Sequence, residues 1–226
     1  PHLCRFAERI RIGGEPLEDD ALAEVLGRAL EEPALSFFEV ATLAAFHAFR
    51  DARVDLSIVE VGIGARLDAT NVIARPRASA ITRVALDHTD KLGRTPREIA
   101  WEKAHVARAG APLVVGPLDP EALAAATRVA AEIGAPLVRA DEDAEARAAV
   151  DAAPLAMSGD HQRDNARVAY ALGRAVGLAP APLAAGIRAA VWPGRMERIE
   201  TADGPVLLDG AHNPDGALAL ARALAA

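Results

Sequence analysis

The stretch IVEVGIGARLDATN, residues 58–71, decides how the rest of the chain is read. It opens on apolar, β-branched residues around one carboxylate, Glu60. Two glycines, an arginine and an Asp-Ala-Thr-Asn turn follow. The pattern predicts a buried strand over residues 54–61 that empties into a loop over residues 62–71. Ligands of open α/β sheets gather beyond the carboxyl ends of the strands, and Glu60 is one residue from such an end. A strand-end glutamate that only faces solvent has the same sequence, so position alone leaves both readings open.

Working outward, a second buried strand is expected over residues 78–86, leading into Asp87-His88-Thr89-Asp90. Shorter strands are expected over 112–116, 136–139 and 206–209. Between them lie helices. Thr95, Pro96 and Glu98 supply a cap, an N1 proline and a box partner for a helix to Arg108, with Gly110 as its stop. Asp119-Pro120 opens another helix to Ile133, and two more are expected over 163–176 and 182–190. A terminal helix runs into Ala225-Ala226. Upstream, Leu22, Val25, Leu26, Ala29 and Leu30 mark an amphipathic helix over 19–32. Ser36 and Glu39 form a capping box for a helix to about Arg50. Residues 1–18 read as irregular or strand-like around Gly13-Gly14, and residues 141–153 as acidic, weakly patterned surface. Strands separated by long helical segments argue for an α/β fold with a doubly wound, mostly parallel sheet.

Composition narrows the function. With 226 residues, 51% of them hydrophobic, the chain can bury a sizeable core. A net charge of −7 without a basic cluster disfavours nucleic acid and anionic membranes. No apolar run reaches about 18 residues, so no membrane span is expected. The single cysteine, Cys4, gives no internal disulfide and suits a reducing cytoplasm.

Several side chains could carry chemistry. His88 follows a strand and should emerge on the same sheet edge as Glu60. A carboxylate and one imidazole suit Mg²⁺ or Mn²⁺ better than a closed zinc site, although a lone His in a polar loop is commonly plain surface. Lys103 shares a helix face with Ile99 and Val106. Of 25 basic residues only Lys91 and Lys103 are lysines, so a lysine that remains has a claim to be needed as one. A desolvated lysine can lose its proton and react, whereas an arginine effectively cannot; the competing reading is a stem that snorkels from the core edge. Asp209-Gly-Ala-His212-Asn-Pro repeats the strand-end logic. Arg195, beside the Trp192-Pro193-Gly194 break, could clamp a phosphate. Asn165 could read a nucleobase edge or cap its helix.

Eight segments, in order, resemble the folylpolyglutamate synthase and dihydrofolate synthase branch of the Mur ligases: PHLCRFAERIRI, SFFEVATLAAF, EVGIGARLDATN, ALDHTDKLG, the EKA around Lys103, HQRDNA, WPGRME and DGAHNPDG. The resemblance implies a Mur-type central ATPase domain over 1–192, then a hinge and the start of a second Rossmann-like, glutamate-ligase domain over 193–226. It implies an ATP-dependent ligase that adds L-glutamate to dihydropteroate, a reduced folate or both, through an acyl phosphate and with two Mg²⁺. It assigns Glu60 and His88 to Mg²⁺, and makes Lys103 a carbamoylated lysine whose negative charge holds a second Mg²⁺. Asn165, Arg195, Asp209 and His212 fall where the family contacts ATP. Ser36, Phe37, Phe38 and Glu39, with Leu67, Asp68 and Ala69, fall where dihydropteroate binds; ordinary core packing is the competing role for one of the two phenylalanines. A cytoplasmic monomer is expected.

The sequence departs from the family in places. Ala65 and His105 replace the family's Gly in its GGR and EKAG segments. The phosphate-binding loop and the serine expected before Pro1 are missing, as is most of the last domain, and residues 139–159 are short. A truncated chain, inactive by itself, is the expectation. Two rivals remain: a ligase acting on a cell-wall precursor, against which DHTD and SFFE argue, and a non-catalytic nucleotide-binding remnant.

Overall fold

The structure, a computed structural model, describes residues 2–152 and 154–225. Pro1, Ala153 and Ala226, which close or open three of the stretches read above, lie outside the described residues. The chain divides into two compact units: Pro1–Ile63 with Leu67–Val72, and Gly64–Arg66 with Ile73–Ala226.

The first unit begins with a 3-10 turn, Phe6–Arg9, and a small antiparallel hairpin, β1 (Arg11–Ile12) with β2 (Glu15–Pro16). Gly13 and Gly14, both at positive φ, make its turn. Two helices follow, α1 (Asp19–Leu30) and α2 (Phe37–Asp51). Their apolar faces meet through Leu22, Val25, Ala29, Ala44 and Ala48, with Ala7 and Ile10. Alanines on both sides let the helices approach closely. The capping box of α2 is formed as read: Ser36 Oγ accepts from Glu39 N at 3.4 Å, and Glu39 Oε2 accepts from Ser36 N at 2.7 Å.

The strand expected over residues 54–61 is not formed. A strand exists by pairing, and among the described residues no partner ladder engages this segment. Ile58 is 87% exposed, so the apolar run that suggested burial is not buried. A short 3-10 turn, Ala69–Val72, closes the loop beyond it.

The second unit is built on three parallel strands, β3 (Ser79–Ile81), β4 (Leu113–Val115) and β5 (Leu137–Arg139), in the order β3-β4-β5. The helices α3 (Thr89–Leu92), α4 (Pro96–Ala104) and α5 (Pro120–Ile133) connect them. After β5 come α6 (Ala144–Asp151), α7 (Asp160–Ala175) and α8 (Pro180–Ala189). An antiparallel hairpin follows, β6 (Glu197–Thr201) with β7 (Gly204–Leu208), and then α9 (Pro214–Ala225). Alternate residues of β4 explain why the sheet is wound on both faces. Leu113 and Val115 pack with Ile99, Ala126 and Val129 of α4 and α5, while Val114 packs with Val168 and Ala171 of α7.

Four expectations in this unit are corrected. The second strand ends at Ile81 rather than residue 86; Gly116 N still donates to Ile81 O at 2.9 Å, after which the chain leaves the ladder. Helix α4 stops at Ala104 rather than Arg108, because the His105 ring takes the Trp101 carbonyl at 2.8 Å and the next turn tightens to i→i+3 bonds. Residues 144–151 form a capped helix whose Ala146 and Val150 are buried, not loose surface. Asn165 lies inside α7, which starts at Asp160, and so does not cap it. The strand β6 was not anticipated. Among the described residues no helix is long and apolar enough to cross a membrane.

Candidate functional site

In the first unit the expected pterin-binding residues converge. The Phe38 ring packs against Gly62 so closely that a Cβ there would lie 2.7 Å from Phe38 Cζ and 3.0 Å from Asp68 Oδ2. Asp68 holds the loop itself: Oδ2 accepts from Gly62 N at 3.1 Å and Ile63 N at 3.0 Å, and Oδ1 accepts from Thr70 N at 2.9 Å and Thr70 Oγ1 at 2.6 Å. Ser36 and Glu39 are similarly engaged in their cap. The groups left open are apolar, since Phe37 is 69% and Leu67 83% exposed. Phe38 therefore takes the packing role and Phe37 stays available, touching Phe6 edge-on with ring centroids 5.7 Å apart. Glu60 is exposed and, among the described residues, its carboxylate has no hydrogen bond. Ala69 opens the 3-10 turn.

The second unit holds the rest. His88 is held at φ 48°, ψ 41°, in the left-handed region that few non-glycine residues occupy. Its exposed ring has no hydrogen-bond partner among the described residues. Its neighbour Asp87 is anchored, accepting from His88 N at 2.8 Å and from Asn213 Nδ2 at 3.0 Å. That second bond spans 126 positions and draws the DHTD and DGAHNPDG segments together. His212 Nε2 lies 3.7 Å from the same carboxylate. The Asn213 hydrogen bond, chiefly, keeps the Asp87 carboxyl below its ordinary range.

Lys103 lies on the inner side of α4, half-buried, near Ile99 and Ala104, which are fully buried. Burial pushes its amine below the usual lysine value, against the pull of Asp87, whose negative charge favours the ammonium. A carbamate formed there would put a second anion beside Asp87. Such a pair would need a cation to balance its charge. Among the described residues no group of three or more His, Cys, Asp or Glu side chains is arranged to hold a metal.

The Arg195 and Asp209 segments also meet. Met196 N donates to Asp209 Oδ2 at 2.9 Å, Ala211 N to Asp209 Oδ1 at 2.9 Å, and Gly210 N to Gly194 O at 2.8 Å. Gly210 leaves room for the Arg195 guanidinium, because a Cβ would lie 2.9 Å from Nη1. The His212 ring engages Gly210 O at 2.8 Å. Asn165 is exposed on α7 and donates to Gln162 Oε1 at 3.2 Å.

Sequence reasoning missed Asp87 and Asn213, although both lie inside segments quoted for their neighbours. It also missed the Arg66 fork on Glu102, whose guanidinium sits 5.2 Å from the Trp101 ring centre. The signal for that pair was weak, since the partners are 36 positions apart.

No protein-family model matches the chain. A probable bifunctional folylpolyglutamate synthase/dihydropteroate synthase of Halobacterium salinarum is 41% identical over 252 residues, covering 100% of this chain and 31% of that protein. The dihydrofolate synthase/folylpolyglutamate synthase of Mycobacterium tuberculosis is 35% identical over 271 residues, covering 100% and 55%. A solved complex of FPGS with AMPPCP and folate superposes with a TM-score of 0.87 at 31% identity, covering 100% of this chain and 62% of its own. The chain thus spans less than two thirds of each of these proteins. Over its full length the chain is similar, in sequence and in fold, to folylpolyglutamate synthases and dihydrofolate synthases.

Proposed function

We propose that the protein carrying this chain is an ATP-dependent amide ligase that joins L-glutamate to a pterin acid: dihydropteroate, a reduced folate, or both. The acceptor carboxylate attacks the γ-phosphorus of ATP, giving an acyl phosphate and ADP. The glutamate amine then attacks the acyl carbon, phosphate leaves, and the amine gives up a proton as the amide forms. The observation that carries the reading is the Asp87–Asn213 bond. It joins two segments that bear the family resemblance, in a chain whose whole length matches a complex holding AMPPCP and folate.

The roles follow from what each side chain leaves open. Phe37 and Leu67 offer apolar surface to a pterin ring. The polar atoms of Ser36, Glu39 and Asp68 are spent on the local backbone, so these residues shape that surface rather than grip the ligand, with Phe38 and Ala69 beneath them. Asn165, Arg195, Asp209 and His212 contact ATP, where a guanidinium can offset phosphate charge. Glu60, His88 and Lys103, as its carbamate, are each assigned to Mg²⁺ and would hold it through oxygen and nitrogen donors; the metal would supply positive charge against the phosphates. The half-buried Lys103 amine has the lowered proton affinity that carbamate formation requires.

The full gene product, given ATP, Mg²⁺ and glutamate, is expected to release ADP only when a pterin acid is also present. ADP release that ignores pterin acids but requires a cell-wall precursor would overturn the assignment of substrate, and no ATP turnover with any acceptor would overturn the enzyme reading.

A further inference from the structure

The loop after β3 carries an arginine that belongs to no motif. Arg83 stands two residues beyond the end of β3, and one edge of its guanidinium meets both oxygens of Asp215 in α9. Nε lies 2.6 Å from Oδ2, and Nη2 donates to Oδ1 at 2.6 Å. A second carboxylate, Asp164 of α7, is near enough for Arg83 to favour its charged form, against the burial that pushes its pKa up. Asp164 also takes a bond from Arg167 Nη1 at 3.1 Å and is next to Asn165. Four residues after Arg83, Asp87 accepts from Asn213.

Residues 83 and 87 of one loop are therefore tied to residue 215 in the first turn of α9 and residue 213 just before it, across 132 and 126 positions of chain. A fork held at both oxygens fixes orientation as well as distance. Joined to a hydrogen bond four residues away, it removes the pivot that a single contact would leave. The segment so held contains His212 and follows Asp209. An isolated, partly exposed ion pair adds little to stability, so the consequence of this one lies in placement.

We infer that Arg83 is a positioning residue: with Asp215 it clasps residues 209–216 to the loop that ends at His88, and so sets the geometry with which ATP is bound. The inference rests on the ligase reading above.

The test uses the full gene product with Arg83→Ala, Asp215→Ala, the double variant and Arg83→Lys. KM for ATP should rise roughly tenfold in each alanine variant, because misplacing binding groups by a fraction of an ångström weakens every contact they make. Tm should fall by about 4 °C at most. The double variant should be no worse than Arg83→Ala, since both changes break one contact. Arg83→Lys should lie between, keeping the charge but losing the fork. Hydrogen exchange over residues 209–216 should quicken in Arg83→Ala while α5 is unchanged. A wild-type KM in Arg83→Ala, or a double variant whose loss is the product of the two single losses, overturns the inference. If the unaltered protein turns over no ATP, the ligase reading fails by itself; the exchange rates then still decide the clasp, and unchanged exchange over 209–216 refutes it.

Discussion

Lys103 concentrates the chemistry at the scale of one residue. Its amine sits where burial disfavours the ammonium and Asp87 favours it, and burial is the larger effect. Lys103→Arg should abolish glutamate-dependent turnover although it keeps the positive charge, because a guanidinium does not form the carbamate. Full activity in that variant would remove the carbamate from the account. The same shift has a consequence for stability, and its sign is fixed. A folded-state pKa below 10.5 means that the native fold disfavours the charged amine. The cost is present in full below the depressed pKa and is gone once the pH passes the ordinary lysine range. In CO₂-free buffer, denaturant melts should show the wild type gaining stability relative to Lys103→Met as pH climbs towards 10.5. A constant difference would contradict the burial. The apolar-face position of Lys103 was legible in sequence because Ile99 and Val106 share its helical period. Asp87 was not, because nothing local distinguishes a carboxylate that will meet Asn213 from one that faces water.

At the scale of elements, Thr95 is the clearest lever on the helix that carries Lys103. Its Oγ1 accepts from Glu98 N at 3.2 Å, and Glu98 Oε2 accepts from Thr95 N at 3.1 Å and Arg94 N at 2.7 Å. Thr95→Ala should cost about 1 kcal/mol in denaturant unfolding, whereas Arg97→Ala, exposed and outside the cap, should stay within about 0.5 kcal/mol. Equal effects would mean that the box does not hold the helix. Caps were readable because they are local: Ser36 with Glu39 and Thr95 with Glu98 each need only four consecutive residues. Elements that depend on distant partners were not. Residues 54–61 have strand composition but no ladder, and the mostly polar β6 becomes a strand only against β7. Helix α6 was hidden because alanine does much of its burying, and alanine scarcely marks an apolar face.

At the scale of the whole molecule, motif order pointed to the family that the chain also resembles over its full length, while side-chain geometry had to be seen. The sequence placed SFFE, RLDA, DHTD and DGAHNPDG in line, but not that Phe38 closes on Gly62 or that Asp87 reaches Asn213. Hydrogen bonds across more than a hundred positions leave no periodic trace, whereas glycine-rich turns and strand ends do. The central claim is that a carboxylate is activated by phosphoryl transfer before the amide forms, and it can be followed atom by atom. If the acceptor's carboxylate carries ¹⁸O in both positions, the full gene product should release inorganic phosphate containing one ¹⁸O for each amide made, with the other retained in the amide carbonyl. Phosphate free of label, formed in step with the amide, would contradict the account.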